Sequence, residues 1–250
     1  MKEEERQRAI RLRLARMESV SRQPAEDLAT GFTAFDEALG TGFPRGRIVE
    51  IYGPSSCGKT TLALQAVAYL QSRGFTAAWI DADRTFDPAY AAGLGVAIER
   101  LPVAQPECAE EALEVARQLA NSTAVDLLVL DSAAALVPRL ELAAGLGASG
   151  QGLQSRVLAS GLRKLATAVV RTGASVVFLN QTRTRVESSG EESETSAGGP
   201  PLKLFAAVRI AMEPAGGGRI RFRVLKNKLA ATLAGRELEW RRGSGFAESP

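Results

Sequence analysis

The 250-residue chain contains no histidine. That absence removes Ser-His-Asp and Cys-His nucleophilic chemistry and every His-ligated metal site. Cysteine is almost missing too. Cys57 and Cys108 are too few for a disulfide framework, which suits a reducing cytoplasmic compartment. No apolar run approaches the ~18 residues of a membrane span, and the charged N-terminus is not a secretion signal, so no membrane partner is expected. What remains is an ordinary globular balance, 45% hydrophobic and 24% charged. The net charge of +3 hides an asymmetry. Residues 203–242 carry ten basic side chains against Glu213, Glu237 and Glu239, while the residues before them are net acidic. Such a segment is either a site for a polyanion or phosphate, or a solvated basic face.

Periodicity divides the chain. Residues 1–22 predict a basic amphipathic helix, with Ile10, Leu14 and Met17 at i, i+4, i+7. Residues 23–31 form a polar linker, and a short helix follows over 33–39. Apolar runs at 48–52, 77–81, 126–130, 175–179 and 207–212 predict strands. Several are continuous rather than alternating, as in a parallel sheet covered on both faces. Helical patterns at 60–73, 107–121 and 153–171 lie between them, so the expected fold is a doubly wound, mostly parallel α/β domain. Residues 220–224 alternate Ile-Arg-Phe-Arg-Val and predict a strand with one wet face. The Gly- and Ser-rich stretches 143–152 and 183–201 predict long loops. The expected organisation is an N-terminal helix (1–22), a linker (23–31), a core (32–242) and a tail (243–250).

The chemistry concentrates at Gly53-Pro54-Ser55-Ser56-Cys57-Gly58-Lys59-Thr60, which fits G-x-x-x-x-G-K-[ST] between a predicted strand and a predicted helix. Glycines let successive backbone N–H groups curl toward phosphate oxygens, and the helix N-terminus adds positive charge. Lys59 suits the β- and γ-phosphates, and the Thr60 hydroxyl suits Mg²⁺; Cys57 is a small filler. Asp131 closes the apolar run Leu127-Leu128-Val129-Leu130 and supplies the carboxylate that a Mg²⁺ site requires. Asp81 and Asp83 end one strand run, on the same side of it. Asn180-Gln181 ends another, where an amide can sense a γ-phosphate. On a helix over 153–171, Arg156, Ser160 and Arg163 share one face at i, i+4, i+7, suited to a phosphate backbone.

The stretch 51–62 resembles the bacterial RecA recombinase family. So do Ile80-Asp81-Ala82-Asp83 with Asp87-Pro88 and Tyr90, Leu130-Asp131-Ser132-Ala133-Ala134-Ala135-Leu136, Gly152-Leu153-Gln154 with Arg156, Asn180-Gln181, and Val224-Leu225-Lys226-Asn227-Lys228. The likeness runs in order from about Gly31 to Trp240. It implies a RecA-like ATPase core that binds ATP with Mg²⁺ and is stimulated by DNA. The nucleotide contacts would be residues 53–61, with Thr61 beside Thr60, and Asp87 and Tyr90 at the adenine and ribose. Asp83 would be the catalytic carboxylate and Gln181 the γ-phosphate sensor. Lys226 and Lys228 would reach a neighbouring protomer's ATP, and the helix over 1–22 would pack on that neighbour. Single-stranded DNA would lie along Gly152, Arg156, Ser160 and Arg163, with Gly198 and Gly199 in the second loop. The implied setting is recombination, repair or the DNA-damage (SOS) response, with self-association and other repair proteins as partners.

Three departures bear on activity. The family has Glu where this chain has Asp83, which predicts slower hydrolysis. Residues 183–201 hold no aromatic wedge, carry Glu187, Glu191, Glu192 and Glu194, and place Pro200 after the glycine pair, which predicts weak DNA binding. The sequence ends at Pro250, so the family's C-terminal DNA-gathering domain is expected to be absent. Two other readings stay open: a nucleotide-gated module that regulates recombination or a damage-tolerance polymerase without strand exchange, and a ring-forming ATPase that acts on proteins.

Overall fold

The computed structural model describes residues 27–144, 152–186, 192–231 and 235–248. The helix expected over 1–22 lies outside the described residues.

The strands are β1 (Ile48–Gly53), β2 (Ala77–Asp81), β3 (Val103–Ala104), β4 (Leu127–Asp131), β5 (Ser175–Val186), β6 (Glu192–Ser196), β7 (Val208–Gly216), β8 (Arg219–Asn227), β9 (Arg236–Arg241) and β10 (Gly245–Glu248). They form one sheet in the order β10-β9-β8-β7-β1-β5-β4-β2-β3, with β6 paired only to β5. Pairs from β7 across to β3 are parallel, while β7-β8, β8-β9 and β9-β10 are antiparallel.

The helices are α1 (Thr33–Leu39), α2 (Lys59–Ser72), α3 (Pro88–Gly93), α4 (Ala109–Asn121), α5 (Arg139–Ala143), α6 (Leu153–Thr172) and α7 (Pro200–Phe205). They cover both faces of the sheet. Val49, Ile51, Trp79, Leu127, Val129, Val177 and Leu179 face α1 and α2. Ile48, Ala78, Ile80, Leu128, Leu130, Val176 and Phe178 face α4, α6 and α7. Successive strand residues therefore enter opposite cores, which is why these runs show no alternation in sequence. The doubly wound fold expected from the sequence is the fold observed.

Three expectations give way to the structure. Residues 183–201 are not one loop. β5 runs on to Val186, and β6 returns antiparallel from Glu192 to Ser196, with Arg183 opposite Thr195. Alternating Thr, Arg and Val suits an extended strand despite the Gly- and Ser-rich surroundings. The expected tail at 243–250 contains β10, whose Phe246 is 4% exposed and joins the core. Part of the expected linker belongs to the core as well: Leu28 bridges Phe43 and is fully buried. The wet-faced strand is observed as β8, but its arginines are not free. Arg219 and Arg221 pair with Glu237 at 3.2 and 2.8 Å, and Arg223 pairs with Glu213 at 3.4 Å. All three acidic residues of the basic segment are engaged, since Glu239 meets Arg241 at 3.1 Å.

Candidate nucleotide site and polyanion face

The phosphate-binding loop (P-loop) of residues 53–60 joins β1 to α2 at the carboxyl edge of the parallel strands, where open α/β sheets bind ligands. Its backbone shape depends on two glycines. A Cβ on Gly53 would lie 2.2 Å from the Met212 carbonyl oxygen. Gly58 adopts φ +83°, and a Cβ there would lie 2.3 Å from the Phe246 ring. Pro54, Ser55 and Ser56 are exposed at the mouth, whereas Cys57 is fully buried. Burial pushes its thiol up, so it is a filler and not a nucleophile.

Lys59 opens α2 and folds its ammonium back onto the loop, donating to the Pro54 and Gly53 carbonyls at 2.7 and 3.1 Å. Thr60 donates its hydroxyl to Asp131 Oδ2 at 2.7 Å. A hydroxyl and a carboxylate at the phosphate mouth form a hard oxygen pair, which fits Mg²⁺. Burial pushes the Asp131 carboxyl up to about 6, although the Thr60 hydrogen bond and Lys59 act against it; Asp83 and Asp81 add to the rise. A cation beside Asp131 would relieve that electrostatic cost.

Asp81 and Asp83 have parted roles. β2 ends at Asp81, so strand alternation does not extend to Asp83. Asp81 is fully buried and accepts from the Thr85 and Phe86 backbones and from Gln105. It shapes the turn. Asp83 stands half-buried next to the site and accepts from the Ser132 hydroxyl at 3.1 Å. Gln181 lies in register with Gly53, which places it beside the start of the P-loop. The Asp87 carboxylate caps α3, accepting from Ala89 and Tyr90 N–H groups at 2.8 and 3.0 Å. The Tyr90 hydroxyl meets that of Thr61 at 2.7 Å, which ties α3 to the P-loop helix.

Several contributors were not anticipated. Phe246, Trp240 and Ile220 join Ser56–Thr61 around a cleft of about 530 Å³. Gln65 of α2 holds β10 against the loop, donating to the Ser244 and Phe246 carbonyls and accepting from Phe246 N–H at 2.7 Å. Nothing in the local pattern marks Gln65. Phe246 lies in a stretch of four residues, 245–248, too short for a periodic signal.

Lys226 and Lys228 lie away from their own P-loop. Lys226 is in register with Arg209, and Arg209 with Glu50, three residues before Gly53 and about 10 Å along the strand. Its ammonium donates to the Lys203 carbonyl at 2.6 Å, at the end of α7. Lys228 is exposed.

On the opposite flank, α6 starts after Gly152 and exposes Arg156, Ser160 and Arg163, while Leu158, Leu162, Leu165 and Val169 face the core. The glycine pair packs on the first turns of α6. A Cβ on Gly198 would lie 2.8 Å from Leu158, and one on Gly199 would lie 3.3 Å from Ser155 Oγ. The fold thus brings Gly152, Arg156, Gly198 and Gly199 together. Ser160 also borders a groove with Glu110, Glu114 and Lys164 on the α4 side. Among the described residues no helix is long and apolar enough to cross a membrane, and no group of three acidic or cysteine side chains could hold a metal by itself.

The RecA N-terminal domain family matches residues 10–247. The chain is 44% identical over 244 residues to Protein RecA of Picosynechococcus sp., covering 94% of this chain and 70% of that protein. It is 44% identical over 242 residues to Protein RecA of Thermus thermophilus, covering 92% and 71%. A crystal structure of the RadB recombinase superposes with a TM-score of 0.70 at 19% identity, covering 89% of this chain and all of that one, a likeness of fold.

Proposed function

The chain belongs to the RecA N-terminal domain family, and from that premise we propose that it is a DNA-dependent P-loop ATPase of recombination and repair whose ATP is held at a seam between two copies. The observation that carries the reading is the Lys59, Thr60 and Asp131 constellation at one phosphate-shaped loop, with Thr60 and Asp131 2.7 Å apart.

Residues 53–61 would hold the triphosphate through backbone N–H groups, with Lys59 leaving its loop carbonyls for the β- and γ-phosphates. Thr60 and Asp131 would hold Mg²⁺, which when bound neutralises phosphate charge. Asp83 would accept the proton of the attacking water, oriented by Ser132. Gln181 would report the γ-phosphate. Asp87 and Tyr90 would border the base and ribose, with Asp87 using the carboxylate oxygen that does not cap α3. Lys226 and Lys228 would serve a neighbour's nucleotide, because their register places them far from their own P-loop. Two lysines beside a γ-phosphate stabilise developing charge as arginine fingers do. Single-stranded DNA would follow Gly152, Arg156, Ser160, Arg163, Gly198 and Gly199, and turnover would be slow because of Asp83.

The test is steady-state ATP hydrolysis with and without single-stranded DNA at low and high salt. Stimulation that falls steeply with salt supports the reading, because phosphate contacts release counterions. Hydrolysis that ignores both DNA and salt overturns it and favours a ring-type ATPase acting on proteins.

A further inference from the structure

Between the nucleotide edge and the glycine pair lies a set of buried polar side chains that the chemistry above does not use. Glu50, in the middle of β1, is fully buried. A carboxylate inside a sheet is costly unless it is paired and hydrogen-bonded, and an apolar residue of similar size is often no worse for stability. The neighbours Val49 and Ile51 are apolar and equally buried. Glu50 is fully engaged. Its Oε2 accepts from Arg209 Nε at 2.5 Å and its Oε1 from Asn180 Nδ2 at 2.9 Å.

Those two partners come from the strands on either side of β1. Arg209 is the register partner of Glu50 on β7, and Asn180 is the partner of Tyr52 on β5. The Arg209 guanidinium also lies 5.0 Å from the Tyr52 ring centroid. Asn180 is fully buried, and its amide is committed at both ends. Nδ2 also donates to the Ala197 carbonyl at 3.0 Å, and Oδ1 accepts from Gln181 N–H at 2.9 Å. The Ala197 N–H donates to the Gln181 carbonyl at 3.0 Å. Arg209 Nη2 donates to Ser196 Oγ at 3.2 Å. One carboxylate therefore fixes, through one amide, both the residue beside the P-loop and the backbone that leads into Gly198 and Gly199.

We infer that Glu50 is a positioning residue that couples nucleotide occupancy to the polyanion face, clamping Asn180 so that a displacement of Gln181 passes through Ala197 to the glycine pair. The inference rests on the nucleotide- and DNA-binding reading above. Its other arm points the same way. Arg209 is in register with Lys226, so the sensor, the glycine pair and the strand of the outward lysines share one buried joint.

The test reads coupling, not stability. Affinity for a labelled single-stranded oligonucleotide is measured on the full chain by fluorescence anisotropy, once with Mg²⁺ and a non-hydrolysable ATP analogue and once with Mg²⁺ and ADP. The ratio of the two dissociation constants is the coupling. Glu50→Gln keeps the size and an acceptor for Asn180 but removes the charge that holds Arg209. Asn180→Ala cuts the link directly. Both are expected to reduce the ratio at least tenfold while nucleotide affinity without DNA stays within threefold. The double variant is expected to fall no further than either single one, because both break one chain. A ratio unchanged in the folded variants overturns the inference, even if their melting temperatures drop. So does a ratio that falls only in step with nucleotide affinity. If Glu50→Gln does not fold, Asn180→Ala decides alone. A wild-type chain whose DNA affinity ignores the nucleotide overturns the functional reading and this inference together. A responsive wild type with equally responsive variants overturns this inference alone.

Discussion

Asp83 is separated from a longer carboxylate by a single methylene. Its Ser132 contact at 3.1 Å shows where the group rests. A carboxylate withdrawn by about 1 Å can cost up to ~10²-fold in rate. Asp83→Glu is therefore expected to raise DNA-stimulated turnover several-fold or more, with nucleotide affinity unchanged. Equal turnover in the two forms would show that the residue does not limit the reaction. Asp131 carries a pH dependence. Burial lifts its folded carboxyl to about 6, above the ordinary aspartate value of 3.8. Between these values the folded chain keeps a proton that the unfolded chain has lost. Without ligand, this group makes stability fall as pH rises from about 4 to about 6, by about 3 kcal/mol at most. Nucleotide affinity in the presence of Mg²⁺ should show the reverse trend and weaken below about pH 6, since a protonated Asp131 cannot serve a cation. Isothermal titrations at pH 5 and pH 7 check this, and a flat profile contradicts it. The motif residues around these groups were legible because the P-loop needs glycine, lysine and threonine at fixed spacing. Gln65 and Glu50 were not, because each is used by a strand distant in sequence, and a lone Gln or Glu carries no spacing signal.

Helix α6 is an element whose two faces were both readable. Its leucines at helical spacing turn inward, and Arg156 and Arg163 turn outward. Each arginine that meets a DNA phosphate should add about 0.7 to the slope of log affinity against log salt for a single strand. Arg156→Ala and Arg163→Ala are each expected to lower the slope by about that amount and to weaken binding evenly across sequences. A measured slope equal to wild type would mean that the face is merely solvated. The hairpin of β5 and β6 shows the limit of reading composition. Its Gly and Ser content signals a loop, yet the alternating Thr and Arg residues pair as strands. β10 escaped notice for another reason: four residues are too few for periodicity, and its support is the Gln65 amide of α2. The wet face of β8 was visible in sequence, but its pairing with Glu213 and Glu237 depends on the antiparallel register of β7, β8 and β9. Much of that basic charge is thus matched within the same sheet.

At the scale of the whole molecule, the chain has a complete phosphate loop and two lysines set back from it along the sheet. Lys226 lies level with Glu50, its ammonium tied to a carbonyl at the end of α7, and burial together with Lys228 and Arg209 holds its pKa below the usual lysine value. A cation held in that way gains from an anionic partner, and its own site is out of reach. On the proposed reading a second copy supplies one. The most direct test mixes two variants. Lys59→Ala cannot grip a triphosphate but keeps its lysines, whereas Lys226→Ala/Lys228→Ala binds ATP but offers none. Each alone should lack DNA-stimulated hydrolysis. Mixed in equal amounts, they are expected to regain a substantial fraction of it, because intact lysines from one copy meet an intact loop on the other. A mixture no more active than the sum of its parts contradicts a site shared between two copies.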